Sequence, residues 1–310
     1  LHFVIWLAEK VKSMNKKIYP TALILLVTCS SLFAQTSFDL WQISTKGKGN
    51  KIHLISGSEK AITDRKEYDN QPSFINEYQL VFSAADDKGN HDIIVYNFEN
   101  GKFTNLTKTA DRSEFSPSIT DCGQYIAAVV TEPDRKQRIW LYPTNFGEPE
   151  LLYDDIEPVG YYDWYDNKAA MFVLGNPNQL IYAKGRNDLL EIDENVGRSI
   201  KKRPKTSQMT YLSRDISAKQ PDGEAFELKY MDLESQEKGD LGLSLAGSQD
   251  FIWLDKKTLL MGRGNSLYIR KWNEKNWSLL GTIQTETHQN ISRLAYSKDL
   301  DVIVVAMERK

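Results

Sequence analysis

The stretch "SPSITDCGQYIAAV", Ser116 to Val129, sets a Pro-Ser pair before an apolar residue, follows it with a polar turn, and ends in an apolar run. Gly123 suits the positive φ of a tight turn, and the run after it suits a buried strand. Cys122 sits in that turn, where it could be a nucleophile, a metal ligand or a turn residue. A nucleophilic thiol needs a base within hydrogen-bond reach and a depressed pKa. Nothing near Cys122 in sequence supplies the base, so the cysteine reads as part of a hairpin between two strands.

The hairpin belongs to a repeat. "DNQPSFINEYQLVFSAADDKGNHDIIVYNFENGKFTNLTKT" from Asp69 and "SEFSPSITDCGQYIAAVVTEPDRKQRIWLYPTNFGEPELLYD" from Ser113 share one order. Each has a Pro-Ser segment, a polar turn, an apolar strand, a charged loop, a second strand, a turn and a short outer strand. Pro72 and Pro117 lie 45 residues apart. Weaker copies begin at Pro158, Gly197 and Gly247. About four strands in roughly forty residues are the dimensions of a propeller blade. A sixth copy is split: "NISRLAYSKDLDVIVVAMERK" at the C-terminus has only inner strands, and "FDLWQISTKGKGNKIHLISGSEKAIT" near the N-terminus only outer ones. Joining the two removes the open edge of the ring. The expectation is an all-β, six-bladed β-propeller of four-stranded antiparallel blades, closed by N-terminal outer strands pairing with C-terminal inner strands.

These residues resemble the TolB-type propellers built from WD-like repeats, whose blades carry an "S-P-[ST]-[WF]-S-P-D-G-K" turn, a strand, and then a "D-I-[YW]" strand. "SPSITDCGQYIAAV" and "HDIIVYNFENGKFTNLT" match that pattern best, and "DNQPSF" and "FDLWQIS" match in part. Cys122 stands where the pattern has Asp. The resemblance spans residues 38 to 310 and implies the fold, whereas propellers host binding scaffolds, transport factors, lyases and peptidase gates alike. TolB carries an α/β domain before its propeller, and here the blades begin almost directly. The likeness is therefore closer to stand-alone secreted propellers of the Bacteroidetes type, which share "YDNQPSF", "GEPELL" and "GRS" in this order.

Of 310 residues, 41% are hydrophobic and 26% charged, the composition of a protein able to bury a large core. "MNKKIYPTALILLVTCSSLFAQ" offers Lys16 and Lys17, an apolar run and small residues ending at Ala34, the pattern of an export signal cleaved after Ala34. Cys29 leaves a lipoprotein reading open, although "LVTC" lacks the small residue that usually precedes such a cysteine. Residues 1 to 13 precede Met14 and read as an over-extended frame, so residues 35 to 310 form the expected single propeller domain, periplasmic or secreted. Loss of residues 1 to 34 takes four lysines and Glu9 and moves the net charge from −3 to −6. That balance lacks the positive field on which nucleic-acid binding depends.

His53, His91 and His288 show no metal-ligand spacing, and "ADDKGNHD" lacks the alternating ligands and terminal Glu of an EF-hand. No nucleophile elbow, Walker loop or dinucleotide fingerprint occurs, and no cofactor is expected. "SIKKRPK", Ser199 to Lys205, reads as a solvated connection. "GYYDWYD" from Gly160 holds four aromatics that alternation divides between blade packing and the central funnel.

Function is expected where the six innermost strands begin, because these starts converge on one mouth of the channel. The segments "EYDNQP", "SEFSP", "PVGYY", "GRSI", "GSQDF" and "THQNI" bring Tyr68, Asn70, Glu114, Tyr161, Arg198, Asp250, His288 and Asn290 to it. Amides, charges and rings suit a protein or peptide partner of the envelope, or a glycan; the same residue types also cap strand ends. A monomeric, non-enzymatic binder is the first reading. A carbohydrate-active lyase or hydrolase using His288, Glu114 and Asp250 is the alternative.

Overall fold

A computed structural model describes residues 36–185 and 187–310. The expected export signal, its cleavage point and Cys29 lie outside the described residues. Among those described there is no α-helix, and the strands form six antiparallel sheets arranged as a six-bladed propeller. The innermost strands are Asp69–Phe74, Ser113–Ile119, Val159–Tyr165, Val196–Lys202, Phe251–Asp255 and His288–Ser297, in blades 1 to 6.

Blade 6 closes the ring. Phe38–Lys46 pairs with Val302–Arg309 in continuous register from Phe38↔Glu308 to Ser44↔Val302. The outermost position of this blade is shared by two short pieces, His53–Leu54 and Lys60–Ala61, both paired to Phe38–Lys46. The expected split blade is thus present, with its fourth strand broken in two.

The core consists of six apolar wedges, one between each pair of neighbouring blades. Strand periodicity builds them, because successive side chains of a second strand face opposite neighbours. Val302, Val304 and Ala306 pack toward blade 1, while Ile303, Val305 and Met307 pack toward blade 5. Likewise Ile126, Ala128 and Val130 face blade 1, and Ala127 and Val129 face blade 3. Burial on both faces explains why these strands read as unbroken apolar runs. Close approach also needs small residues: a Cβ on Gly262 would stand 2.6 Å from Ile291 Cγ2 across the junction of blades 5 and 6.

Thr120 to Tyr125 forms the hairpin expected around Cys122, with Thr120 N–H bonded to the Tyr125 carbonyl and Gly123 at φ +71°. Cys122 is exposed, at the rim opposite the innermost strand starts. The basic run requires a correction. Ser199–Lys202 completes an innermost strand rather than a connection, with Ser199 and Ile200 buried. Arg203 beyond it stacks over the Trp253 and Trp272 rings at 5.3 and 4.5 Å. Alternation places buried neighbours inside the strand, and cation–π contacts absorb the charge that had suggested a solvated loop.

Candidate binding site at the channel mouth

Backbone irregularities shape the mouth. The innermost strands of blades 1, 2, 3, 4 and 6 shift register against their neighbours near their starts, at Asn70/Ser73, Phe115/Ser118, Val159/Tyr161, Val196/Ile200 and Gln289/Ile291/Arg293. Gln71, Ser116 and Asn290 take positive φ there, at 60°, 52° and 49°. A β-bulge adds a residue and re-aims the side chains after it. Gln71 and Ser116 occupy equivalent positions in the repeat, and Gln71 Oε1 accepts the Ser116 N–H at 2.7 Å, tying two bulges together.

The channel is lined by all six innermost strands and encloses about 90 Å³ around Gln71, Ser116, Tyr161, Arg198, Asp250 and Arg293. Asp250 is its electrostatic centre. Its Oδ2 accepts from Arg198 Nε at 3.0 Å, from Arg198 Nη2, and from Arg293 Nη1 at 3.1 Å. Arg293 also lies over the Tyr161 ring, 5.7 Å from its centroid, with Nη2 3.4 Å from the phenol oxygen. Burial is the main reason that the Tyr68 phenol is pushed up to about 12, with Arg293 and Arg198 opposing the rise and Asp250 adding to it; the phenol is a donor at neutral pH.

Outward, the mouth divides. On the side of blades 1 to 3 a funnel of about 420 Å³ is walled by Tyr68, His91, Phe115, Gly160, Tyr161 and Leu174. His91 packs edge-on against Tyr68 and tilted against Phe115, and its burial lowers its pKa, leaving it neutral at pH 7. On the side of blades 4 to 6 a polar depression of about 260 Å³ is walled by Arg198, Gln249, Asp250, Arg263 and Asn290. A long hairpin of blade 4, from Gln208–Gln220 into Gly223–Asp232, flanks this half, with Arg214 bonded to Gln249 and Asp222 paired to Arg263.

The structure therefore gathers Tyr68, Tyr161, Arg198, Asp250 and Asn290 around the mouth. Asn70 is buried just beneath, its amide 3.4 Å from Ser292 Oγ and its oxygen accepting the Gln71 N–H. Two more of the expected residues do not reach this surface. Glu114 is fully buried between blades 1 and 2, bonded by Thr109 Oγ1 at 2.7 Å, Thr107 Oγ1 at 3.2 Å and Tyr142 OH at 3.2 Å. His288 is buried at the ring closure, its Nε2 2.9 Å from Asp39 Oδ2. Of the aromatic run, Tyr162 and Trp164 are buried, Tyr161 meets the channel, and Tyr165 lies at the other end, bonded to Glu234.

Sequence reasoning missed Gln71, Arg293 and the blade 4 hairpin. Gln71 had a signal, since it precedes Pro72 as Ser116 precedes Pro117. Arg293 had none within the expected segment, because two bulges after Gln289 carry a residue two positions beyond Ile291 into the channel. Among the described residues no group of three or more His, Cys, Asp or Glu side chains is arranged to hold a metal ion.

With fold and site in hand, the protein falls in the class of six-bladed β-propellers. No family model matches it, and no curated protein matches its sequence. Solved structures do match. A putative TolB from Agrobacterium tumefaciens superposes with a TM-score of 0.66 at 8% identity, over 89% of this chain and 99% of that one. TolB from Acinetobacter baumannii gives 0.54 at 9% identity, over 88% of this chain and 65% of that one. A propeller from a nidogen/laminin complex gives 0.54 at 12% identity, over 76% and 90%. The propeller is thus TolB-like in fold, and at such identities the likeness extends no further than fold.

Proposed function

We propose that this protein is an exported, monomeric β-propeller without catalytic activity that binds a protein or peptide partner of the cell envelope at the mouth of its central channel. One observation carries the reading: Arg198, Asp250, Arg293, Tyr161 and Tyr68 come from five different blades or blade junctions and converge on an open mouth. Aromatic walls beside partly exposed arginines are the composition of protein-binding surfaces. The nidogen/laminin complex places a propeller of similar fold in a protein–protein assembly. The enzyme alternative asks His288, Glu114 and Asp250 to act together. They occupy three separate places, two of them buried and already hydrogen-bonded.

Cys122 provides the test, because it marks the opposite rim. A photo-crosslinker is attached to Cys122 in one sample, and to Gln249→Cys in a Cys122→Ser background in another. Both are irradiated in the envelope fraction. Adducts from position 249 that disappear with Tyr161→Ala are expected. Adducts only from position 122, or adducts indifferent to Tyr161, would place binding elsewhere.

A further inference from the structure

The mouth holds an imbalance of charge that names a ligand chemistry for the binding role proposed for it, and the inference rests on that role. Two arginines share one carboxylate, leaving one positive charge in excess within a protein whose overall charge is −3. All of the Asp250 contacts from these arginines fall on Oδ2. Arg198 Nη1 makes no hydrogen bond among the described residues, and the Arg198 side chain is 34% exposed. A guanidinium carries five N–H donors in a rigid fork matched to a carboxylate, so the Nη1 that Asp250 leaves unused on this channel-lining arginine is an unfilled position for an oxyanion.

The surroundings restrict what can fill it. The channel around the arginines encloses about 90 Å³, enough for a carboxylate-sized end group, whereas the adjoining funnel of about 420 Å³ is walled by Tyr68, Phe115, Tyr161 and Leu174. A ligand that reaches the arginines therefore leads with its anionic group and leaves a larger, partly apolar portion among the rings. The protonated Tyr68 phenol adds a neutral donor at the boundary. We infer that the mouth captures its peptide partner through a carboxylate, either the terminal α-carboxylate of the peptide or an Asp or Glu side chain, seated against Arg198 and Arg293 with the adjacent residue on the Tyr68 and Tyr161 wall.

Asp250 has a double role in this arrangement. It holds both forks in place, and it repels the incoming carboxylate. Removing its charge while keeping an acceptor oxygen, as in Asp250→Asn, should then tighten carboxylate binding; a purely structural Asp250 would give the opposite sign.

The test uses residues 35–310 with ¹⁵N-labelled arginine and three probes: acetyl-Gly-Ser-Phe-Ala with a free carboxylate, its C-terminal amide, and the amide with Glu in place of Ser. Arginine Nε–H signals are followed during titration, with backbone amides mapping the contact. The expected result is saturable shifts of Arg198 and Arg293 by the free acid or the Glu amide at millimolar concentration, and about tenfold weaker binding of the plain amide. Arg198→Gln should abolish the preference, Arg198→Lys should retain part of it, and Asp250→Asn should raise affinity by about threefold or more. Melting curves of each variant establish that it is folded. A response to the free acid alone assigns a C-terminus; a response to both acids assigns any peptide carboxylate.

Equal binding of acid and plain amide at Tyr161 and Gly160 would overturn the carboxylate inference and leave the mouth as the binding site. Saturable shifts confined to other surfaces would overturn both. No saturation by either acid up to about 20 mM, or weaker binding by Asp250→Asn, would overturn the inference.

Discussion

Two carboxylates of this propeller each gather two nitrogen-bearing side chains, and their surroundings give them opposite roles. Asp39 and Asp250 both sit near the start of a strand, and each brings together side chains distant in sequence. Asp39 is fully buried. Its Oδ1 accepts from Thr63 Oγ1 at 3.1 Å and Arg65 N–H at 2.8 Å, and its Oδ2 from His288 Nε2 at 2.9 Å and Arg309 Nε at 3.1 Å. Asp250 faces the channel, with Oδ2 crowded and Arg198 half-engaged. A buried carboxylate must have its lone pairs filled or it destabilises the fold, so Asp39 is committed to structure. An open one can leave donors around it idle, and idle donors are what a ligand can use.

The position of Asp39 also explains where its strength goes. It lies on the N-terminal strand, while His288 and Arg309 lie on the two C-terminal strands, so this polar clasp spans the ring closure beside the Phe38↔Glu308 end of the register. Asp39→Ala would leave a buried imidazole and a guanidinium without their partner. The expected cost is about 3–5 kcal/mol, the largest of the single-site effects, read from the denaturant midpoint at constant m. A loss below about 1 kcal/mol would put the burden of closure on the strand pairing alone.

Glu114 is a third case, buried like Asp39 but without a cation. Thr107 Oγ1 lies 3.1 Å from Asp92 Oδ1 and 3.2 Å from Glu114 Oε2, and one hydroxyl hydrogen can serve only one of them. A proton on Glu114 resolves the conflict by making its own oxygen a donor. Burial, opposed by the Thr109 hydrogen bond and reinforced by the Asp92 charge, pushes the Glu114 carboxyl up to about 7. The folded state therefore holds the proton more tightly than the unfolded chain, whose glutamate titrates near 4.5. Its contribution is fully present below about pH 4.5 and is lost as pH rises through about 7, amounting to about 3 kcal/mol over that window. Glu114→Gln should remove that part of the slope. Matched urea titrations at pH 5 and pH 8 would show the wild type losing more stability than the variant, and parallel losses would remove Glu114 as the cause.

Sequence periodicity revealed most of the fold because a propeller repeats one pattern of burial. The apolar second strands, the Pro-Ser segments and the split sixth blade were each visible in composition and spacing, and they suffice for blade count and closure. The mouth was legible only as a set of converging segments. Within each segment, bulges decide which residue turns inward, and a one-residue slip exchanges the faces of a strand. That is why Tyr161, Arg198 and Asp250 reach the channel while Arg293 went unnoticed. Glu114 and His288 have the residue types of a binding site, and their burial depends on Thr107, Thr109 and Tyr142 in one case and on Asp39 in the other. Asp39 lies 249 residues from His288 and Tyr142 lies 28 residues from Glu114, so those partnerships leave no local signature. Cys122 needed only its neighbours, since a turn is local chemistry.

The smallest predicted effect is the most direct test of the contrast between the two carboxylates. Asp39→Asn and Asp250→Asn make the same chemical change, and each leaves an arginine beside the new amide. At Asp39 the amide NH₂ faces donors from His288, Arg309, Thr63 or Arg65 whichever way it is turned, in a site that is fully buried. At Asp250 the amide oxygen can keep the arginine contacts on the Oδ2 side, with the NH₂ on the Oδ1 side, which neither arginine contacts. The Arg198 partner is about one-third exposed, so solvent screens much of what the charge contributed to that pair, and Arg293, 15% exposed, keeps its contact through the amide oxygen. Asp250→Asn should therefore cost about 1 kcal/mol or less in denaturant unfolding, against at least twice that for Asp39→Asn. A comparable loss at both positions would mean that the mouth carboxylate holds the ring together as the buried one does, and the arginines around it would then be occupied by structure rather than left for a ligand.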